Sequence, residues 1–353
     1  MPQTVPIAIV GAAGYSGAEL DERLLQHPRV HIAGLFASAK RDAKPERFDD
    51  VFPRFRGLVD LPVSAGTPEA IRASGAQVVF LCTPHEASLE LAPALADAGL
   101  TVLDLSAAFR LKDASLYPKY YGFEHHQPAH LARAVYGMPE VFRAELKGAK
   151  LIAVPGCYTT CSILALRPLY AAGLIAPGTR PIIDAISGVS GAGRSPQVRS
   201  LFCEIGVQAY GLLNHRHQPE IDAYCGAGPG GTIFTPHLAP LDRGIAATIH
   251  ADLREGVSAE QIASVYASAY AREPFVRLCK PGQWPSTQDI RNTNFLDLAF
   301  AYDAPRRHVI VGAALDNLVK GAAGQALQAM NASLGFDETT ALLPSPRVGQ
   351  AVS

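Results

Sequence analysis

Short apolar runs alternate with amphipathic stretches over the first half of the chain. The run PIAIVGAAG ends in glycines, and in the following SGAELDERLLQH the residues Leu20, Leu24 and Leu25 recur on one face of a helix. HIAGLFAS, AQVVFLCTP and TVLDLSA repeat the strand pattern, and HEASLELAPALADAG predicts a helix that closes at Gly99. Strands that alternate with helices of about 10–15 residues are typical of a parallel, doubly wound sheet.

The pattern changes from about Gly156 to about Asp316, where the apolar runs are longer and rich in β-forming residues. SAEQIASVYASAYARE predicts a helix with Ser258 as its N-cap, and DNLVKGAAGQALQAMNASLG predicts another that is long enough to return to the first unit. We therefore predict an α/β protein with a Rossmann-type doubly wound parallel sheet and a second α+β domain with a large mixed sheet. The expected domains are 1–155, completed by a C-terminal helix 317–353, and 156–316.

Composition narrows the class of protein. The chain has 353 residues, of which 48% are hydrophobic and 18% charged, with a formal net charge of −1, as is ordinary for a soluble enzyme. No basic face is indicated, so nucleic acid is not an expected partner. No apolar run reaches the roughly 18 residues that a membrane span needs. The N-terminus lacks the basic flank and cleavage site of a signal peptide, so we expect a cytoplasmic protein.

The six cysteines are scattered, and in a cytosolic protein they do not predict a disulfide framework. Cys157 and Cys161 have no second Cys or His pair at metal-ligand spacing, so no metal site is predicted. Cys82 continues a buried strand pattern, which indicates core packing.

The stretch VGAAGYSG has the spacing G-x-x-G-x-x-G between the first predicted strand and the first predicted helix. Gly11 permits a tight turn, Gly14 lets the backbone approach a pyrophosphate, and Gly17 lets the helix pack on the strand. The helix N-terminus then supplies free N–H groups to the phosphates. A plain tight turn is the alternative. The predicted cofactor-binding residues of this loop are Gly11, Ala13, Gly14, Tyr15, Ser16 and Gly17.

The end of the second strand predicts which dinucleotide is bound. An NAD site usually has Asp or Glu there, on the ribose 2′-hydroxyl. This strand ends GLFASAKRDAK, with Ser38, Lys40 and Arg41 at its tip and no acid. Hydroxyl and cationic groups suit a 2′-phosphate, so we predict NADP. The alternative is a solvated loop that is basic by chance.

In VPGCYTTCS, Pro155 and Gly156 predict a turn, and the run YTTCSILALRPLYAAG predicts a helix that begins beside Cys157. A helix N-terminus stabilises a thiolate, so we expect a lowered pKa for Cys157. Cys161 lies one turn deeper, where packing is expected. A thiolate beside a nicotinamide suggests attack of sulfur on an activated acyl carbon, followed by hydride reduction of the thioester.

Eight ordered motifs now identify a resemblance. The chain resembles the N-acetyl-gamma-glutamyl-phosphate reductase family, relatives of the aspartate-semialdehyde dehydrogenases, over nearly its whole length. The resemblance implies a Rossmann domain, a catalytic and oligomerisation domain, a C-terminal helix packed on the first domain, and a homo-oligomer, either tetramer or dimer. The motifs are VGAAGYSGAEL, DLSAAFRL, YGMPE, VPGCYTT, SGVSGAGR, HRHQPEI, PSTQDIRNTN and DNLVKGAAGQA.

The resemblance also implies a reaction. N-acetyl-glutamyl 5-phosphate is reduced by NADPH to N-acetyl-glutamate 5-semialdehyde with release of phosphate, through a thioester on Cys157, in arginine biosynthesis. Histidine is the natural acid–base for such chemistry, and LNHRHQPEI offers two. The family pattern favours His217, which leaves His215 and Arg216 for structure or substrate binding.

Further roles follow from the same resemblance. Arg110 is expected to bind the phosphate, with a surface salt bridge as the alternative, and Arg194 and Arg291 are weaker candidates for the substrate carboxylate. Asn317 is expected to bind the nicotinamide carboxamide, with a helix cap as the alternative, and Tyr210 to line the acyl pocket. The remaining expected cofactor-binding residues are Thr83, Ser187, Gly188 and Gly191.

Three alternatives stay open. The same chemistry could act on a glutamyl or aminoadipyl phosphate linked to a carrier protein. This would need a positive surface for an acidic partner, which a near-neutral chain does not favour, although net charge does not report on a local patch. It could act on aspartyl phosphate, although that branch usually has Asn-Cys where this chain has Gly156-Cys157. A nucleotide-binding sensor without catalysis would lack the nucleophile or the histidine motif, and both are present.

Overall fold

The structure is a computed structural model that describes residues 4–37 and 46–343. Its first sheet has eight strands in the order β3-β4-β2-β1-β5-β6-β8-β7. Seven of them run parallel, and the short edge strand β3 pairs antiparallel with β4. The strands are β1 Val5–Val10, β2 Val30–Ala37, β3 Glu46–Arg47, β4 Pro62–Ala65, β5 Val78–Leu81, β6 Thr101–Asp104, β7 Val135–Tyr136 and β8 Leu151–Ala153.

The middle strands of this sheet are apolar along their length because helices cover both faces. Every residue of β5, β6 and β8 is buried. Gly99 follows α4 with a φ of 90°, which ends that helix where the sequence predicts. The α-helices of this half are α1 Tyr15–Leu24, α2 Phe48–Val51, α3 Pro68–Ala73, α4 His85–Asp97, α5 Tyr117–Tyr121, α6 Pro128–Arg133 and α7 Pro139–Leu146, with 3₁₀ turns at Pro53–Phe55 and Ala114–Leu116.

The second sheet is mixed and has seven strands in the order β10-β11-β9-β12-β15-β14-β13. Its β11–β9 and β13–β14 pairs are parallel, and its other pairs are antiparallel. The predicted combination of a parallel doubly wound sheet and a mixed sheet is therefore confirmed. The strands are β9 Ile182–Ser187, β10 Gln208–Ala209, β11 Ile233–Leu238, β12 Ile245–Asp252, β13 Val276–Leu278, β14 Leu296–Asp303 and β15 His308–Leu315.

One face of the second sheet packs on three helices, α8 Cys157–Ala171, α9 Gln218–Cys225 and α10 Ala259–Tyr270. Ser258 caps α10 as predicted, because its hydroxyl accepts a hydrogen bond from the Gln261 amide. Along β9 buried and exposed residues alternate, so Ile182 and Ile186 lie on the opposite, open face. Further 3₁₀ turns are Val189–Ala192 and Val198–Ser200.

The C-terminal segment packs on the first sheet through a π-helical turn, Val319–Ala323, and helix α11, Gly324–Leu334. The predicted helix over 317–353 is too long. Gly335 adopts a φ of 72° and ends α11, and turns follow it to residue 343. Within the part of the chain that the structure describes, no helix combines the length and apolar character needed to cross a membrane.

Candidate active site

The loop between β1 and α1 is shaped by its glycines. Gly11 has a φ of 86°, and a Cβ there would lie 2.2 Å from the carbonyl oxygen of Cys82. A Cβ on Gly17 would lie 2.6 Å from the oxygen of Gly11. Gly14 is the N-cap of α1, and no side chain caps this helix. The crowded turn and the open helix N-terminus fit the pyrophosphate of a dinucleotide.

Two adjoining cavities meet at Cys157, and the first of them also borders this loop. We call the first the loop cavity, because Gly14, Tyr15 and Ser16 line it. We call the second the tyrosine cavity, because Tyr158 and Tyr210 line it. Residues that line both cavities are Cys157, Gly191, Arg216 and His217.

Cys157 is the first residue of α8, and Gly156 is its extended N-cap. A Cβ on Gly156 would lie 2.4 Å from Nε2 of His217, so this position requires glycine as long as the histidine keeps its place. On the other side, a Cβ on Gly321 would lie 2.7 Å from Cβ of Cys157. Cys157 is half-buried between Gly156 and Gly321. Cys161 is fully buried in the core, as predicted.

The predicted lowering of the Cys157 pKa is wrong for this structure. Burial raises the pKa of the Cys157 thiol above its ordinary value. The Tyr158 amide and the positive charges of Arg216 and Arg110 oppose the shift without overcoming it. The sequence reasoning counted the helix N-terminus and left out desolvation, which here is the larger effect.

His217 immediately precedes α9 and is buried. Its Nδ1 has no hydrogen-bond partner among residues 4–37 and 46–343. Burial, together with the nearby His215 and Arg216, lowers the pKa of His217 well below its ordinary value. The ring is therefore neutral near pH 7 and is able to accept a proton.

His215 differs from His217 in place and in hydrogen bonding. Its Nδ1 accepts the backbone N–H of His217 at 3.1 Å, which leaves the proton of the neutral ring on Nε2. Burial lowers the pKa of His215 to about 4. It lines only the tyrosine cavity, and its ring packs edge-on against Tyr158 and Tyr210.

Glu220 is a central residue of the site that the sequence reasoning missed. It is fully buried, and its Oε1 accepts hydrogen bonds from the Tyr136 hydroxyl at 2.6 Å, the Gly156 amide at 3.0 Å and the Thr159 hydroxyl at 2.9 Å. Its Oε2 accepts a hydrogen bond from Arg110 at 3.3 Å. Glu220 thus ties the turn before Cys157 to the helix that follows His217. An acid three residues after the histidine, in HRHQPEI, is the signal that could have found it.

Arg110 is 6% exposed, so the surface salt-bridge alternative is excluded. Its Nε donates to the Val154 oxygen at 2.7 Å, and its Nη2 donates to the Leu105 oxygen at 2.9 Å. With the bond to Glu220, three of the five guanidinium N–H groups are used. Two remain for a ligand in the loop cavity, which Arg110 lines.

Of the two other predicted arginines, Arg194 lines the loop cavity and Arg291 does not. Arg194 donates to the Ala13 oxygen at 3.2 Å and lies over the Phe52 ring, so it sits at the glycine loop. Arg291 is paired with Asp242 and lines neither cavity. The structure does not bring Arg291 to the site, and the exposed Asp242 carboxylate occupies its guanidinium fork instead.

The remaining predicted cofactor residues divide into three groups. Ser187, Gly188 and Gly191 line the tyrosine cavity. Thr83 is buried, shares a hydrogen bond with Ser88 at 2.7 Å and lines neither cavity. The residues predicted to bind the 2′-phosphate, Ser38, Lys40 and Arg41, lie outside the described residues.

Asn317 lines the loop cavity but does not cap the helix. Its amide oxygen accepts the Gly244 N–H at 2.6 Å, and its Nδ2 donates to Ser190 at 3.0 Å. The Asp316 carboxylate accepts the next free amides, of Leu318 at 2.9 Å and Val319 at 3.2 Å, so it supplies the cap. The second Nδ2 hydrogen of Asn317 remains for a ligand.

Metal-ligating residues do not gather in the part of the chain that the structure describes. No group of three or more His, Cys, Asp or Glu side chains there is placed to hold a metal ion. The six cysteines are free thiols.

Two family models match the chain. Residues 6–149 match the semialdehyde dehydrogenase NAD binding domain. Residues 157–317 match the semialdehyde dehydrogenase dimerisation domain. The boundary between the two matches falls just before Cys157.

Curated relatives resemble the chain over nearly its whole length. The N-acetyl-gamma-glutamyl-phosphate reductase of Tolumonas auensis is 48% identical over 341 residues, which cover 96% of this chain and 99% of the relative. The N-acetyl-gamma-glutamyl-phosphate reductase of Escherichia coli K12 is 45% identical over 335 residues, which cover 95% of this chain and 98% of the relative.

Solved structures share the fold at lower identity. Aspartate semialdehyde dehydrogenase II of Vibrio cholerae, complexed with ASA, has a TM-score of 0.69 at 20% identity and covers 94% of this chain and 98% of its own. Aspartate semialdehyde dehydrogenase of Candida albicans with NADP has a TM-score of 0.69 at 15% identity and the same coverage. At these identities the likeness concerns the fold alone.

Proposed function

The chain belongs to the N-acetyl-gamma-glutamyl-phosphate reductase family, and on that premise we propose that it reduces N-acetyl-glutamyl 5-phosphate to N-acetyl-glutamate 5-semialdehyde with NADPH. Phosphate is released, and the reaction serves arginine biosynthesis. The observation that carries the proposal is the meeting of Cys157 and a neutral His217 beside the glycine loop, in one cavity.

Cys157 is the nucleophile and His217 the acid–base. Neutral His217 accepts the thiol proton, and the sulfur attacks the acyl carbon. The bond from that carbon to the phosphate oxygen breaks, the proton passes from His217 to the departing phosphate, and a thioester remains on Cys157. NADPH, when bound, would supply the hydride that reduces this thioester. The thiohemiacetal oxyanion that results collapses to the aldehyde and releases the sulfur as a thiolate, which takes a proton from solvent to restore the thiol.

Different residues around the two cavities bind different parts of the substrate and the cofactor. Arg110 binds the phosphate through its two remaining N–H groups. The glycine loop and Arg194 hold the cofactor pyrophosphate. His215 and Tyr210 line the place of the acyl chain in the tyrosine cavity.

The far ends of the cofactor are held by other residues. Asn317 offers its second amide hydrogen to the carboxamide, and Ser187, Gly188 and Gly191 lie along the nicotinamide half. Ser38, Lys40 and Arg41 bind the 2′-phosphate.

The place of action and the assembly belong to the same proposal. The enzyme works in the cytoplasm on a small acyl phosphate, as a homo-oligomer. The open face of the second sheet, where Ile182 and Ile186 are 40% and 39% exposed, supports a contact between subunits there.

Gly156 argues against aspartyl phosphate as the substrate. The aspartate branch usually places Asn before the cysteine, and any Cβ at position 156 would collide with His217. This site is therefore built around glycine, and we expect N-acetyl-glutamate semialdehyde to be preferred over aspartate semialdehyde.

The proposal is tested in the reverse direction. Purified protein is mixed with NADP, inorganic phosphate and N-acetyl-glutamate 5-semialdehyde, and NADPH absorbance is followed, with aspartate semialdehyde as the comparison substrate. We expect NADPH to form with the N-acetylated substrate. If nothing forms while a reductase of the same family is active under identical conditions, the proposed function is wrong.

A further inference from the structure

His85 lines the loop cavity but has no role in the mechanism above. It is the first residue of α4, and its Nδ1 accepts the backbone N–H of Ala107 at 3.0 Å. An N–H donor requires a lone pair on Nδ1, so the proton of the neutral ring lies on Nε2. Burial, with the charges of Arg216 and Arg110, lowers the pKa of His85 to about 3, so the ring is neutral at physiological pH.

The Nε2–H of His85 meets a second donor. Nη1 of Arg216 lies 3.3 Å from Nε2. A guanidinium has no acceptor, and Nε2 has no lone pair in this tautomer, so the two groups cannot hydrogen-bond to each other. Donors this close are paired by a common acceptor that lies between them. Beside the charge of an arginine, that acceptor is best an anionic oxygen.

A third donor converges on the same cavity. Arg110 is buried, lines the loop cavity with His85 and Arg216, and keeps two N–H groups after its bonds to Val154, Leu105 and Glu220. The ring plane of His85 is held by Tyr121, which packs edge-on with ring centroids 5.6 Å apart. Arg110 and His85 are thus fixed by the fold, and the exposed Arg216 meets them at the same cavity, which makes the three donors a site for an anion.

The site lies beside the nucleophile. Cys157 lines the same cavity, and the positive charges of Arg216 and Arg110 oppose the rise that burial causes in the pKa of its thiol. In an acyl phosphate the phosphoryl group is bonded through one oxygen to the carbon that sulfur attacks, whereas the carboxylate lies at the other end of the molecule. A phosphoryl group also offers three terminal oxygens to three donors.

We propose that His85, Arg216 and Arg110 together form the subsite for the phosphoryl group of the substrate, with His85 donating through Nε2–H. That the phosphoryl group belongs to N-acetyl-glutamyl 5-phosphate rests on the proposed function. That the three donors bind a phosphoryl group is argued from their geometry alone. The other phosphate that could reach the loop cavity is the pyrophosphate of the cofactor, and the experiment separates the two sources.

The decisive variant is His85→Asn. The Asn side-chain oxygen can take the place of Nδ1 as acceptor for the Ala107 amide, but the side chain is too short to present a donor where Nε2 lies. Arg216→Gln removes the second donor. His126→Asn is the matched control, because His126 is exposed and pairs with Glu90 away from both cavities.

Inorganic phosphate is titrated into each protein by calorimetry, with and without saturating NADP. We expect the phosphate affinity to fall about 10-fold or more in His85→Asn and in Arg216→Gln, since each loses a hydrogen bond to a charged group, and to stay unchanged in His126→Asn. Binding to the wild type should persist with NADP present. Absence of phosphate binding to the wild type, equal binding to all four proteins, or displacement of phosphate by NADP each overturns the proposal.

Steady-state kinetics in the reverse direction separate phosphate from carboxylate. We expect KM for phosphate to rise in His85→Asn while KM for the semialdehyde stays unchanged. A rise in KM for the semialdehyde alone would place a carboxylate in the subsite and overturn the proposal. If the wild type binds phosphate through His85 and Arg216 but does not oxidise the N-acetylated semialdehyde, the subsite stands and the proposed substrate is wrong.

Discussion

The two sides of the cleft are built in different ways. The glycine loop is made of backbone, and its shape depends on missing side chains, because a Cβ on Gly11 or Gly17 would collide with main-chain atoms. The opposite side is made of side chains. One buried carboxylate, Glu220, accepts hydrogen bonds from three of these side chains and from one backbone amide, and so links them. The loop is specified by seven consecutive residues, whereas the other side needs four separate segments. We therefore expect substitutions on the two sides to damage different properties.

The largest effect is expected for His217→Ala. Without the proton acceptor, kcat should fall by about 10²–10⁴-fold, while NADP affinity on the loop side stays unchanged. His215→Ala should cost less, because His215 lines only the tyrosine cavity and supports the His217 backbone. Comparison of kcat for the two variants checks the assignment. Wild-type turnover in His217→Ala with a loss in His215→Ala would reverse it.

The pH dependence of kcat/KM gives a second test of His217 as the proton acceptor. Since the pKa of His217 is lowered, the ring stays neutral from roughly pH 6 to 8 and loses its acceptor only at lower pH. The thiol of Cys157, whose pKa is raised, stays protonated over the same range, so its proton remains available to His217 and a pH profile of kcat/KM should be flat from about pH 6 to 8. A steep fall of kcat/KM with decreasing pH inside that range would contradict the assignment.

Glu220→Gln is expected to weaken the side-chain half of the cleft. The variant leaves Arg110 buried without its counter-charge, so we expect the free energy of unfolding to fall by about 3 kcal/mol and kcat to fall with it. Denaturant unfolding and turnover measure the two effects. Glu90→Gln is the control, because Glu90 is exposed and pairs only with the surface residue His126. Unchanged stability in Glu220→Gln would mean that this carboxylate does not organise the site.

Gly17→Ala tests the loop side alone. The added Cβ would lie 2.6 Å from the Gly11 oxygen, so the loop must shift, and NADP should bind about 10-fold more weakly. Labelling of Cys157 by iodoacetamide should keep the wild-type rate. Gly206→Ala is the control, because a Cβ at Gly206 meets open space. A slower labelling rate in Gly17→Ala would show that the two sides are not separate.

The smallest effect concerns the charge near the sulfur. Because burial raises the pKa of Cys157, the rate of iodoacetamide labelling should increase with pH through a midpoint above that of a free thiol, about 8.5. Arg216→Ala removes a positive charge that favours the thiolate, so the midpoint should move further up. A midpoint below the free-thiol value would show that the helix N-terminus, and not burial, has the larger effect on the pKa of Cys157.

Features with local causes were predicted correctly from the sequence. The strand–helix alternation, the end of α4 at Gly99 and the Ser258 cap each depend on neighbouring residues. The start of α8 at Cys157 depends in the same way on the Pro-Gly before it. Each of these signals lies within a few positions of the feature that it specifies.

Features with long-range causes were not predicted. Glu220 reaches Gly156 and Tyr136, which lie 64 and 84 residues away along the chain. The raised pKa of Cys157 depends on burial, which no local pattern reports. Arg291 carries the same charge as Arg110, and only the fold shows that one is paired at the surface and the other buried beside the nucleophile.

A rapid-mixing experiment without phosphate tests the role of Cys157 most directly. The protein is mixed with NADP and N-acetyl-glutamate 5-semialdehyde, NADPH is followed, and the quenched protein is digested and weighed by mass spectrometry. The account predicts a burst of one NADPH per chain and an N-acetyl-glutamyl group on the peptide that carries Cys157, both absent in Cys157→Ser and present in a variant of the exposed Cys203, Cys203→Ser. An acyl group on another residue, or a full burst in Cys157→Ser, would contradict it.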